Sequence, residues 1–192
     1  MPEPLDEGLL ETLVRTASVL KQTDIPFALM GGFAVYAHGG TSSDHDVDFA
    51  LREQDVPRAV DALTASGFRA EEPPEDWLTK VFDGDRMVDL IYRPVERPVT
   101  AETLADAVDR PVAALHLPVL SATQLMVHKL LAFSQHHCDF SRALPMARSL
   151  REQIDWPRVR EETAASPYAA SFLVLLRLLN VVTTEEVGDA TG

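Results

Sequence analysis

The stretch that decides the fold is Phe27–Leu51, FALMGGFAVYAHGGTSSDHDVDFAL. It opens with an apolar run, Phe27-Ala28-Leu29-Met30, of a length that suits a buried strand. Gly31-Gly32 breaks the run, and Phe33–His38 reads as a short helix. A second turn signal, Gly39-Gly40-Thr41-Ser42-Ser43, follows. The stretch closes on Asp46-Val47-Asp48-Phe49-Ala50-Leu51, a strand with two acids two residues apart. Side chains alternate along a strand, so Asp46 and Asp48 share a face. Two adjacent carboxylates repel each other, and no Lys or Arg in the stretch relieves them. A bound cation would. Hard oxygen ligands suit Mg²⁺, which takes one or two carboxylates together with substrate phosphates. Gly31 and Gly32 let the backbone pass close to a ligand, and the helix behind them offers N–H groups to an anion. The stretch therefore pairs a phosphate cradle with a metal seat.

Working outward, Leu9, Leu10, Leu13, Val14, Ala17 and Leu20 recur at helical spacing and predict an amphipathic helix over 6–22. A second helix is expected over Asp55–Ser66, with Pro57 in its first turn and Gly67 beyond its end. Phe68–Glu71 suits a short edge strand. Leu78–Phe82 and Arg86–Tyr92 flank Asp83-Gly84-Asp85 and read as a β-hairpin. The second arm carries Asp89 inside Val88-Asp89-Leu90-Ile91. A carboxylate in an apolar strand needs a partner or a metal, unless it faces solvent. Further on, 101–108 suits a helix. Val112–Leu115 and Leu117–Leu120 suit two short strands or an extended crossing. Helices follow at about 122–134, 138–150, 155–164 and 167–181, and the tail after Val182 reads as polar and frayed. This gives an α/β core over 1–120 and a helical segment over 121–192, expected to pack beside the active cleft.

The Gly-Gly turn followed about a dozen residues later by Asp-x-Asp resembles the nucleotidyltransferase superfamily, the fold of polymerase beta and the aminoglycoside nucleotidyltransferases. The chain looks most similar to its AbiEii and MenT toxin branch. It departs from that branch at Ser42, where an Arg is usual, and at Asp44, where a Thr is usual. The resemblance implies an α+β fold: a small twisted mixed β-sheet flanked by helices, with a C-terminal helical bundle. It implies Asp46, Asp48 and Asp89 as catalytic metal ligands for one or two Mg²⁺ ions. The substrate would be a nucleoside triphosphate, held at Gly31, Gly32 and Ser43. Ser42 and Ser43 lie near the anion-binding turn and alternatively cap it.

Lys129 stands on a mostly apolar helical face, Leu125–Leu131, where a lysine either snorkels to the surface or serves a phosphate. The branch carries a Lys followed about ten residues later by an Asp, and Lys129 and Asp139 match that spacing. The resemblance thus implies Lys129 at the triphosphate and Asp139 orienting Lys129 or the incoming hydroxyl. Cys138 replaces the Arg usual before that Asp. His136-His137-Cys138-Asp139 suits a helix boundary rather than zinc, because neighbouring helical side chains diverge. His45 is expected opposite the two acids of its strand.

Composition narrows the function classes. Hydrophobic residues make up 46% and charged residues 24%, as in a soluble globular protein. A single cysteine, Cys138, rules out a disulfide framework and fits a reducing, cytoplasmic setting. The N-terminus lacks a basic leader pattern, and no run is long enough to span a membrane. A net charge of −13 argues against a broad nucleic-acid groove but leaves a local basic patch open. Three readings follow: a toxin adding nucleotides to the tRNA 3′ end and held in check by an antitoxin; a small-molecule transferase modifying a cationic drug such as an aminoglycoside or lincosamide; and an inactive or antitoxin-like binding module.

Overall fold

The computed structural model describes residues 6–40, 46–71 and 73–188. Chain contacts divide it into two units, Met1–Ala37 with Ser42–Leu120, and His38–Thr41 with Ser121–Gly192.

The first unit is a mixed sheet with helices, the α+β arrangement expected. Its strands are β1 (Phe27–Met30), β2 (Val47–Leu51), β3 (Arg69–Glu71), β4 (Leu78–Asp83), β5 (Arg86–Ile91), β6 (Val108–Val112) and β7 (Leu115–Val119). They lie in the order β3-β4-β5-β2-β1-β7-β6. The β2–β5 and β1–β7 pairs are parallel and the rest antiparallel. Every residue of β1 is buried, which its unbroken apolar run dictates for a central strand. Phe27 on β1 and Phe49 on β2 meet edge to face at 5.7 Å.

Helix α1 (Glu7–Gln22) begins where the Asp6 carboxylate accepts the Gly8 and Leu9 N–H groups. It buries Leu9, Leu13, Ala17 and Leu20. Helix α2 (Gly31–Ala37) connects β1 to the chain leading into β2. Helix α3 (Val56–Ala65) has Pro57 in its first turn and buries Val56, Ala59 and Leu63. Helix α4 (Ala101–Ala105) starts with a Thr100–Thr103 capping box.

The second unit holds α5 (Ala122–Leu131), α6 (Phe140–Ser149), α7 (Trp156–Glu162), α8 (Pro167–Leu178) and α9 (Thr184–Val187). The side chains of Ser121, Asp139, Asp155, Ser166 and Thr183 each cap one of them. Phe133, Phe140 and Phe172 stack against one another at 5.1–6.2 Å. No described helix is long and apolar enough to cross a membrane.

Three sequence expectations shift. Residues 112–115 are not one strand: Val112 pairs with Leu115 across a tight turn, with Ala113 in the left-handed region at φ 51°. The strand before that turn therefore starts at Val108 and takes in Pro111, which the sheet's outermost position tolerates. The helix expected to reach Ser134 stops at Leu131, and Ser134 and His137 bond each other's backbone in a turn. The stretch after Val182 forms α9, because Thr183 and Glu186 make a capping box and Arg151 bonds both the Glu186 carboxylate and the Val181 carbonyl.

Candidate active site

Strands β2 and β5 run parallel in a register that sets Asp48 opposite Asp89. Asp46 immediately precedes β2, two residues from Asp48 and so on its face. One carboxylate oxygen from each of Asp46, Asp48 and Asp89 lies within 4.8 Å of the others. Among the described residues no other group of three His, Cys, Asp or Glu side chains converges in this way.

Burial and mutual repulsion make this cluster costly when its acids are charged. Burial, then the charges of Asp46 and Asp89, push the Asp48 carboxyl up to about 8. Burial also raises Asp89, to about 6, against the lowering pull of Lys80 and with further raising by Asp46 and Glu75. Asp89 is only 8% exposed, and its Oδ1 is buried with no hydrogen-bond partner. An orphaned buried carboxylate oxygen is destabilising by about 1–3 kcal/mol or more. Two oxygens on one Mg²⁺ are at most about 4.2 Å apart, so the three carboxylates need only small rotations to share an ion. The donor set is all oxygen and anionic. These residues fit a divalent cation.

The turn beside them is built for close approach. Met30 pairs with Asp48 across β1–β2, and Gly31 follows it with φ +64°. A Cβ at Gly31 would overlap the Asp48 carboxylate. Gly31 thus supplies a left-handed backbone and leaves the room that Asp48 fills. Gly32 is the next residue of α2. Ser43, with Ser42, Asp44 and His45, lies outside the described residues.

Lys129 and Asp139 belong to the second unit. Lys129 is half-buried on α5; burial, then Arg142, lowers its pKa, and Asp139 partly offsets this. The exposed Asp139 caps α6, accepting from Ser141 N at 2.9 Å and Ser141 Oγ at 2.6 Å. Those two bonds hold its carboxyl below the usual range. Asp139 therefore has a structural task in the metal-free protein. His136 and His137 fall in or beside an exposed turn with Cys138, and no metal cluster forms there among the described residues.

Two charged groups near Asp89 did not stand out in the sequence. Lys80 on β4 is Asp89's direct cross-strand partner. Glu75, ahead of β4, has a buried Oε2 without a hydrogen-bond partner. A hairpin register counted back from Asp83 and Arg86 identifies Lys80; nothing in the sequence marks Glu75.

The raised carboxyls carry a pH signature. The folded protein holds protons on Asp48 and Asp89 that the unfolded chain releases near the ordinary value of 3.8. Metal-free stability is therefore highest below about pH 4 as far as these groups are concerned, falls as pH rises through about 6 and about 8, and then levels. Mg²⁺ must displace the Asp48 proton, so binding at neutral pH should release protons and tighten with pH. Calorimetry in buffers of different ionisation enthalpy reads that release directly; equal heats in all of them would refute it.

A protein-family model described as "Uncharacterised nucleotidyltransferase" matches residues 5–183. No curated protein matches the chain. Among solved structures, the antibiotic-resistance factor ANT(2'')-Ia in solution is similar at 16% identity, covering 92% of this chain and 99% of that one, with a TM-score of 0.61. An antigenic nucleotidyltransferase-like protein from Paracoccidioides brasiliensis is 16% identical over 97% of this chain and 100% of its own, with a TM-score of 0.58. The lincomycin-bound lincosamide antibiotic adenylyltransferase LnuA is 12% identical over 75% of this chain and 96% of its own, with a TM-score of 0.51. At these identities the likeness is one of fold.

Proposed function

The chain belongs to the nucleotidyltransferase family whose model spans nearly its whole length, and on that premise we propose that Asp46, Asp48 and Asp89 are its catalytic centre. The reaction is transfer of a nucleoside monophosphate from a nucleoside triphosphate to an acceptor hydroxyl. The observation that carries the assignment is the convergence of three carboxylates at two parallel strands, two on the strands and Asp46 just ahead of β2, with an unpartnered buried oxygen among them.

Mg²⁺, one ion or two, would supply charge neutralisation for the phosphates and acidify the acceptor hydroxyl. Asp48 on β2, Asp46 just ahead of it and Asp89 on β5 would hold it. Asp89, the carboxylate that β5 sets beside Asp48, would accept the hydroxyl proton or organise its acceptor. As that proton leaves, the acceptor oxygen bonds the α-phosphorus, the bond to the bridging oxygen breaks, and pyrophosphate departs. Gly31 lets Asp48 sit against the turn, and Gly31 and Gly32 as the phosphate cradle rest on the family resemblance. Lys129 at the triphosphate, and Ser43 and Asp139 as nucleotide contacts, rest on the family resemblance.

Two acceptors have support. The resemblance to the AbiEii and MenT branch, including the Lys129–Asp139 spacing, favours the tRNA 3′ end and a toxin paired with an antitoxin. The net charge of −13 favours a small cationic acceptor instead, since an acidic surface attracts a polyamine and repels a polyphosphate. ANT(2'')-Ia, an enzyme of the same fold, has been captured with adenylyl-2''-tobramycin.

The test incubates the protein with Mg²⁺ and each α-labelled nucleoside triphosphate, in the presence of total tRNA or an aminoglycoside and lincosamide panel. Label on tRNA supports the first acceptor and label on a drug the second. Loss of label with Asp46→Asn ties either result to the carboxylates. Undiminished transfer by Asp46→Asn would overturn the catalytic assignment.

A further inference from the structure

We propose that Lys80 is a positioning residue of the carboxylate centre: a built-in counter-ion that balances the three acids and sets how tightly a divalent cation is held. The inference rests on reading that centre as the Mg²⁺ site. Its geometric basis is one row of residues across five strands. Met30 pairs with Asp48, Asp48 with Asp89, Asp89 with Lys80, and Lys80 with Glu71. Directly opposed residues share a face of a sheet, and neighbouring strands lie about 4.8 Å apart. Lys80 is thus rooted about 5 Å from Asp89 and about 10 Å from Asp48, on the side that carries the acids. A lysine stem spans about 6 Å, so its ammonium is within Coulomb range of the whole cluster.

Three further observations agree. Lys80 is half-buried, which keeps its charge from being fully screened. Its other cross-strand neighbour, Glu71, is already paired with Arg69 at 2.8 Å. No ion pair within 4.0 Å ties Lys80 to Asp89 among the described residues, so the interaction is a field rather than a bond that would occupy the orphaned Oδ1. That arrangement leaves all three carboxylates open to an ion while offsetting part of their repulsion. A lysine that merely snorkels from the sheet would have no effect on the ion.

The two roles separate in a magnesium titration. At about pH 8.5, held the same for every variant, the comparison isolates the charge at position 80. Calorimetry with Mg²⁺ alone should find Lys80→Met binding about fivefold more tightly than wild type, because a cation beside a cation has been removed. Lys80→Arg should stay within about twofold of wild type, since the charge is kept. Metal-free Lys80→Met should melt below wild type at that pH and gain more from added Mg²⁺. A folded Lys80→Met with wild-type Mg²⁺ affinity would overturn the proposal, while loss of binding in Asp48→Asn would leave the metal site itself standing. No Mg²⁺ binding by wild type, unchanged in Asp48→Asn, would overturn the metal site and this proposal together.

Discussion

Replacing Asp48 by asparagine should reduce nucleotide transfer at least about a thousandfold and, in the same protein, raise the metal-free melting temperature at neutral pH. The two effects share one cause. Asp48 is surrounded closely enough that burial and its acidic neighbours push its carboxyl up to about 8. Folding must therefore hold a proton there or tolerate a charge there, and that charge is what a divalent cation needs. Asparagine has nearly the same shape but no charge to hold. It relieves the repulsion with Asp46 and Asp89 and removes the carboxylate that lies against the Gly31 turn. The stabilisation should vanish below about pH 4, where the native carboxyl is protonated in both the folded and the unfolded chain. Thermal melts across pH 4–9, run beside initial transfer rates, check both halves. A variant that lost activity and also melted lower at neutral pH would show that Asp48 holds the fold together rather than straining it.

Much of this arrangement was legible in Phe27–Leu51 because each local signal has one physical reading. An unbroken apolar run of four residues becomes the all-buried β1. Acids two apart on a strand share a face, and Asp46 and Asp48 do converge. Asp89 stands out in the sequence because a carboxylate among Val88, Leu90 and Ile91 needs a partner unless it faces solvent, and it lies with Asp46 and Asp48. The parallel β2–β5 pairing that brings it to Asp48 is a long-range contact the alternation alone does not state.

What was missed has equally local causes. Lys80 drew no attention because its own strand gives it an ordinary, half-exposed place; its importance lies in the hairpin register. The β6–β7 turn uses Ala113 and Ala114, neither of which signals a left-handed backbone. The α9 cap depends on Glu186, whose second partner, Arg151, lies far off in sequence. Asp139 caps α6, a task that its spacing from Lys129 does not reveal.

Gly31→Ala is the second large effect, and its control is built into the chain. Gly31 and Gly84 adopt nearly the same left-handed conformation, φ +64° and φ +63°. Alanine at either site meets the same backbone cost of about 1–2 kcal/mol. Their surroundings differ. A Cβ at Gly84 meets nothing within 4 Å, whereas at Gly31 it overlaps the Asp48 carboxylate. The turn at Gly31 is fixed by β1, whose residues pair with β2 on one side and β7 on the other. The strands resist movement, so Asp48 must swing away from Asp46 and Asp89. A displacement of about 1 Å at a reacting centre lowers rates by about a hundredfold. Gly31→Ala should therefore lose about that much transfer activity and weaken Mg²⁺ binding in parallel. Gly84→Ala should lose comparable stability while keeping its rate within about twofold of wild type. Rates and Mg²⁺ titrations on the two variants, compared at equal fractions folded, separate the effects. Equal losses of activity would mean that backbone strain alone acts at Gly31. A much larger loss at Gly31 would place the Asp48 carboxylate where the chemistry occurs, held there by the absence of a single methyl group.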